Sequence, residues 1–247
     1  MGFSTASLYA ERRHGMVNGH KPRMDNERAQ KLRSWQDALY RDLQSQQTTK
    51  IEFLGRTFVV PPNVHMINPM SDLIGNSILR NVKCNDRVLD MGTGCGVNAI
   101  LAASVSNDVV AVDVNPIAIE AAHENACRNG VENGIAFYVS DLFRSVKGEF
   151  DIIIFDPPFR WFKPRETCEV ATTDENYKTL TRFFEEIRNY LKKDGRLLIC
   201  FGSSGDIEYL YELIDKTKLE KETIAHRGLE KDGLIIDYYT FLITAQE

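Results

Sequence analysis

From residue 87 onward the chain alternates short apolar runs with segments whose apolar positions recur every three or four residues. The runs near 87–90, 109–113, 135–139, 150–155 and 196–202 read as buried strands. The segments near 97–105, 116–129, 174–193 and 206–217 read as helices. This alternation predicts a parallel sheet with helices on both faces. Two further apolar stretches, 223–226 and 235–244, follow without a helix between them.

Upstream, Ala29, Leu32, Trp35, Leu39 and Leu43 fall on one face of a helix between Asp25 and Gln47, with Asp25 or Asn26 as its N-cap. That face either packs on the main domain or covers its substrate. Residues 51–60 read as a hairpin turning at Leu54-Gly55 and ended by Pro61-Pro62. A helix then opens and runs to about Leu79, capped by Ser71 or Asp72. Residues 1–24 are polar and aperiodic, as in a flexible arm. The chain thus divides into an arm (1–24), a segment with helix, hairpin and lid (25–82), and an α/β domain (83–247).

Candidate chemistry gathers at the strand ends. Val88-Leu89-Asp90-Met91-Gly92-Thr93-Gly94-Cys95-Gly96 delivers an acid and then three glycines at alternate positions, directly before a helix. Glycines tolerate φ > 0 and let backbone approach a ligand closely. A strand–glycine loop–helix unit is the nucleotide-binding corner of an open α/β sheet. The second run ends in Asp113, 21 residues after Gly92, where an acid accepts hydrogen bonds from ribose hydroxyls. The third ends in Asp141, and the fourth runs into Asp156-Pro157-Pro158-Phe159. A plain dinucleotide fold has no need of that tetrad.

Over roughly residues 60 to 245, the glycine loop and the tetrad together resemble the class I S-adenosylmethionine-dependent methyltransferases. The chain is similar to their (Asn/Asp)-Pro-Pro-(Tyr/Phe) branch, which includes HemK-like glutamine methyltransferases and many base N-methyltransferases. The resemblance implies a Rossmann-like doubly wound, seven-stranded sheet of order 3-2-1-4-5-7-6, closed by an antiparallel hairpin. It implies S-adenosylmethionine as cofactor. Gly92, Thr93, Gly94 and Gly96 would lie against its methionine and ribose portions, Asp90 would orient the loop or reach the amino acid moiety through water, and Asp113 would bind the ribose diol. Asp141 would meet the adenine amino group, with Leu142 and Val114 on the two faces of the ring. Each acid also has a simpler role open to it: Asp90 as a turn cap, Asp113 as a helix initiator before Asn115-Pro116, and Asp141 as a surface turn residue. Asn68-Pro69-Met70-Ser71-Asp72 departs from the Pro-Arg-Pro-x-Thr form usual in HemK-like enzymes, although Asp72 remains a candidate for the cofactor's amino group.

In the tetrad, two prolines fix φ and restrict the residue before them, which holds Asp156 and the neighbouring carbonyls in place. A conjugated amino group has lost lone-pair density. Asp156 and the Pro157 carbonyl are acceptors that can orient its N–H hydrogens, while Phe159 can stack on a planar substrate. An ionised Asp only accepts, whereas HemK-like enzymes acting on glutamine amides normally carry Asn. Arg160-Trp161-Phe162 stands at the substrate entrance, where it could stack a base, clamp an anion or simply pack as a lid. Phe201-Gly202-Ser203-Ser204-Gly205 closes the fifth strand with small residues that leave room for substrate.

Composition narrows the remaining classes. At 247 residues and 43% hydrophobic, the chain can bury one large core. No apolar run approaches the ~18–20 residues of a membrane span, and no signal peptide is expected. Cys84, Cys95, Cys127, Cys168 and Cys200 stand far apart, which favours a reducing, cytoplasmic setting over a disulfide framework. The five histidines are equally scattered, and no metal is expected. Residues 1–50 carry nine Lys/Arg against five Asp/Glu, so this segment is +4 and the remainder −9. The imbalance is modest and favours a small-molecule or protein acceptor over a long nucleic acid. The expected activity is N-methylation of an amino group on a planar substrate, a small molecule or a protein glutamine amide. RNA or DNA base methylation is the alternative within the enzyme class, and a cofactor-binding regulatory or scaffold module is the alternative outside it.

Overall fold

Asp25 N-caps the first helix of the computed structural model, which describes residues 20–68 and 70–245. Its carboxylate accepts the Arg28 N–H at 2.8 Å and starts α1 (Asn26–Ser45). A hairpin of β1 (Thr49–Phe53) and β2 (Arg56–Val60) follows, with Leu54 and Gly55 at φ 45° and 74° in its turn. In α2 (Ser71–Asn81) the expected capping differs. The N-cap position is Met70, with no side-chain bond; Ser71 Oγ accepts from Asn68 N–H instead. Asp72 forms a two-pronged pair with Arg227 at 3.0 and 2.9 Å, so neither it nor Ser71 caps the helix.

Strands and helices then alternate: β3 (Arg87–Met91), α3 (Val97–Ala103), β4 (Asp108–Asp113), α4 (Pro116–Arg128), β5 (Ile135–Val139), β6 (Phe150–Phe155), α5 (Lys178–Glu186), β7 (Leu191–Gly202), α6 (Ile207–Lys216), β8 (Leu219–Lys231) and β9 (Leu234–Ala245). The main sheet has the order β5-β4-β3-β6-β7-β9-β8, parallel except for the two ladders of β9. Counted from β3, this is the expected 3-2-1-4-5-7-6 with an antiparallel last hairpin. The central strands read as unbroken apolar runs because both their faces are covered. One face packs on Phe143, Phe183, Phe184 and Leu210, the other on Ile74, Ile78, Ile100 and Leu101.

Three elements depart from the pattern reading. The helix expected over 174–193 is broken into a 3₁₀ turn at Glu175–Tyr177, α5, and a second 3₁₀ turn at Ile187–Asn189. Asn176 and Tyr177 are left-handed, at φ 52° and 57°, and the Asp174 carboxylate caps the Thr179 and Leu180 N–H groups at 2.9 Å each. The strand expected at 223–226 extends over all of β8, whose exposed polar positions hide its period. A charged edge strand of this kind resists pairing with another chain. Residues 20–24, expected to end a loose arm, are docked. His20 stacks on Tyr209 with centroids 3.8 Å apart and meets Asp206 Oδ2 at 2.8 Å. Residues 1–19, the rest of that arm, lie outside the described residues. Among the described residues no helix is long and apolar enough to cross a membrane.

Candidate functional site

Strand order reverses between β3 and its neighbours β4 and β6, and this is where open α/β sheets bind ligands. A cavity of about 550 Å³ opens there, at the carboxyl ends of the strands. It brings together Gly92, Thr93, Gly94, Asp113, Val114, Asp141, Leu142, Asp156, Pro157, Phe159 and Arg160 of the residues singled out from sequence. It does not include Asp90, Gly96, Trp161 or Phe162.

The three loop glycines have different tasks. Gly92 and Gly94 line the cavity at φ 73° and 55°, and a Cβ on either would meet nothing within 4 Å. The space over them is open to a ligand. Gly96 faces inward, where a Cβ would stand 3.0 Å from the Ala122 Cα, so it lets α3 pack closely on α4. The loop is pinned to β4: Gly92 and Thr93 donate to the Val112 carbonyl, and Gly94 N–H donates to Asp113 Oδ2 at 2.9 Å. The other Asp113 oxygen accepts Asn115 N–H at 2.8 Å, which leaves each oxygen one further acceptor position. Burial pushes the Asp113 carboxyl above its ordinary range.

Asp90 is fully buried beneath the loop, away from the cavity, with Oδ2 accepting the Ala99 N–H of α3 at 3.0 Å. Burial raises its carboxyl to about 7, against the opposing effects of the Thr93 hydroxyl and that amide. Its position is that of a cap and loop support, with no contact surface toward a cofactor. On the far side of the cavity Leu142 is buried and Val114 is 45% exposed, so both offer apolar surface for a flat ring. Asp141 lines the same rim while bound to Arg182 Nη1 at 3.2 and 3.0 Å.

The tetrad follows β6 directly. Asp156 meets the cavity but is withdrawn from bulk water, and burial raises its carboxyl to about 6 despite the Cys200 thiol donating to it. Phe159 packs against Phe201 and Tyr238, with centroids 5.5 and 6.2 Å away. Its carbonyl accepts the Tyr177 hydroxyl at 3.0 Å, and the Tyr177 hydroxyl oxygen in turn accepts the Asp206 N–H at 2.6 Å. Gly205 lies so close that a Cβ there would fall 2.2 Å from the Phe159 carbonyl oxygen. The tetrad is therefore clamped from below by Tyr177 and Gly205.

Beyond the tetrad the aromatic pair serves as packing. Phe162 is 4% exposed among Leu32 and Ile236, with Arg33 over its ring, and Trp161 packs on Phe162. Of the three residues expected to meet substrate, only Arg160 lines the cavity. Sequence reasoning missed four others: Gln36, His65, Tyr177 and Tyr238. Gln36 sits in the stripe of Leu32, Leu39 and Leu43, a polar residue at an apolar register, and that spacing was the available signal. His65 lines the cavity with its Nδ1 buried and without a partner among the described residues; burial, then the charge of Arg160, lowers it to about 4.

These residues fit S-adenosylmethionine. Open space over Gly92 and Gly94, the spare acceptor positions of Asp113, and apolar Val114 and Leu142 would receive its amino acid, ribose and ring portions in order. The Thr93 hydroxyl on the same wall turns toward the buried Asp90 carboxylate and helps hold the loop in place.

Comparison with known proteins agrees with the fold and the motifs. Residues 65–226 match the family model described as the methyltransferase small domain. A protein of Methanocaldococcus jannaschii, whose name proposes it to be a protein N5-glutamine methyltransferase, is 36% identical over 177 residues, covering 66% of this chain and 85% of the relative. The release factor glutamine methyltransferase of Buchnera aphidicola is 26% identical, over 68% of this chain and 66% of its own length. The crystal structure of a transfer-RNA methyltransferase of M. jannaschii superposes with a TM-score of 0.61 at 19% identity, over 82% of this chain and 58% of that one. At that identity the likeness speaks for the fold alone, and the chain spans little more than half of that larger protein. The chain belongs to the methyltransferase small-domain family and is a methyltransferase that uses S-adenosylmethionine.

Proposed function

We propose that this enzyme methylates the side-chain amide nitrogen of a glutamine in a protein acceptor in the cytoplasm. The observation that carries the reading is the tetrad Asp156-Pro157-Pro158-Phe159 on the same cavity as the glycine loop. Two curated relatives bearing glutamine-methyltransferase names support it.

Bound S-adenosylmethionine supplies an electrophilic methyl carbon on a sulfonium. The chain's own contribution is positioning, worth roughly 7–11 kcal/mol in favourable cases. Asp156, ionised above about pH 6, accepts an N–H of the amide, and the Pro157 carbonyl accepts the other. Held by both hydrogens, the nitrogen turns its π lone pair out of the amide plane's conjugation and toward the donor side of the cavity. Phe159 covers the plane of the acceptor. Tyr177 and Gly205 keep the tetrad backbone from relaxing. Asp156 can accept the proton the nitrogen loses after transfer.

A carboxylate at 156, where an amide is usual for glutamine substrates, gives the second reading: an exocyclic amine of a nucleic-acid base. Labelled S-adenosylmethionine incubated with enzyme and cell extract separates the two. The glutamine reading expects label that survives nuclease and is lost to protease. Label lost to nuclease assigns a base, and label passing a small-pore filter assigns a metabolite.

A further inference from the structure

Among the described residues the charge of Arg160 has no counterion. Its side chain lines the cavity and is half-buried, yet no carboxylate among the described residues pairs with it. Its one side-chain hydrogen bond runs from Nη1 to the neutral Gln36 Oε1 at 2.8 Å. The arrangement of Gln36 is enforced: its Nε2 donates to Glu169 Oε1 at 2.8 Å and Thr172 Oγ1 at 3.0 Å, so its oxygen must face Arg160. The nearest buried acid in that network, Glu169, is already taken by Arg165, which reaches it through Nε at 2.9 Å and through a second, shorter contact from Nη2. The network thus holds Arg160 by an amide and spends its carboxylates, Glu169 and Asp37, on Arg165.

Even a half-buried charge without a counterion is costly, and proteins keep one where something else completes it. The cavity lining is mostly apolar, with Leu39, Met66, Val170 and Leu229 in it; the uncharged ring of His65 and Tyr238 stand near Arg160, and the cavity's carboxylates, Asp113, Asp141 and Asp156, form no ion pair with it. Among the described residues Arg160 is the only Lys or Arg lining the cavity. One guanidinium on an apolar wall matches a singly charged, planar carboxylate, which it can bind with two parallel hydrogen bonds. A phosphate dianion would call for further cations, and there are none on this wall.

We propose that Arg160 is a specificity-determining residue that binds a carboxylate of the methyl acceptor, close to the nitrogen that receives the methyl group. The proposal rests on the glutamine reading for the identity of that nitrogen. The carboxylate has three possible sources: an acidic side chain beside the glutamine, the free end of a peptide ending in it, or free glutamine's own α-carboxylate.

The test uses the full chain loaded with S-adenosylhomocysteine and three ligand pairs, titrated by calorimetry. The pairs are an end-blocked glutamine peptide flanked by Glu or by Gln, a peptide ending in glutamine with its terminus free or amidated, and free glutamine or its α-amide. In the wild type one acid should bind at least about tenfold better than its neutral isostere, the smaller end of what a charged hydrogen bond contributes. In Arg160→Gln that preference should fall to about twofold or less, and Arg160→Lys should restore part of it. Three results overturn the proposal: no acid preferred over its isostere, a preference that persists in Arg160→Gln, or an S-adenosylhomocysteine affinity that falls by the same factor in the variant. The last would assign the charge to the cofactor's own carboxylate. Methyl transfer to the same ligands with S-adenosylmethionine is scored separately. Its absence from all three glutamines sinks the glutamine reading, while the binding preference still decides the role of Arg160.

Discussion

Asp90 pairs with Ala111, and Asp113 stands two residues further along the neighbouring strand, yet one is buried beneath the loop and the other lines the cavity. The difference has a consequence for stability. The Asp90 carboxyl titrates near 7 in the folded chain against 3.8 as the ordinary value, so the folded state binds its proton more tightly than the unfolded state. The stabilisation from that proton is complete below about pH 4 and is lost as pH rises through 7, at about 1.4 kcal/mol per unit of pKa difference. Asp90→Asn removes the titration while keeping an acceptor for Ala99. Denaturant unfolding should show the wild type losing a few kcal/mol relative to Asp90→Asn between pH 4 and 7.5. A difference that is flat with pH would mean that Asp90 is ionised throughout. From the sequence both residues read alike, as an acid ending an apolar run. Which one the following helix covers depends on how α3 crosses the sheet, and no local pattern carries that information.

The elements that hold the tetrad were the least legible. The strands β3 to β6 and the glycine loop were evident because buried parallel strands are unbroken apolar runs with turn residues after them. After the tetrad, the spacing of Tyr177, Leu180, Phe184 and Ile187 predicts one long helix over 174–193. Tertiary demand breaks that helix: Tyr177 takes a left-handed conformation and sends its hydroxyl to the Phe159 carbonyl and the Asp206 N–H. Tyr177→Phe leaves both buried backbone groups without their partner, each costing ~1–3 kcal/mol. Chemical denaturation should show a loss of ~2–4 kcal/mol, with methyl transfer reduced and cofactor affinity nearly unchanged. Stability within ~0.5 kcal/mol of wild type would show that the clamp is not needed.

At the scale of the whole molecule, α1 and the β8–β9 hairpin turn an open sheet edge into a roofed cavity. Leu32 joins Phe162 and Ile236, the Trp35 indole N–H donates to Asp232 Oδ2 at 2.6 Å, and Leu39 reaches the cavity itself. The apolar stripe of α1 was legible, and it both packs and covers. Trp161 and Phe162, expected at the substrate, serve this packing instead, because aromatic residues on a loop look the same whether they meet a ligand or a neighbouring helix. On the proposed function the cavity is one site with two halves: a glycine-loop half for the cofactor and a tetrad half for the acceptor. Asp156→Ala separates them most directly, with cofactor affinity measured by calorimetry and methyl transfer measured with the acceptor found by fractionation. The account predicts affinity little changed and transfer lowered ~100-fold or more, as expected when a positioned acceptor is lost. Full turnover in Asp156→Ala would contradict it.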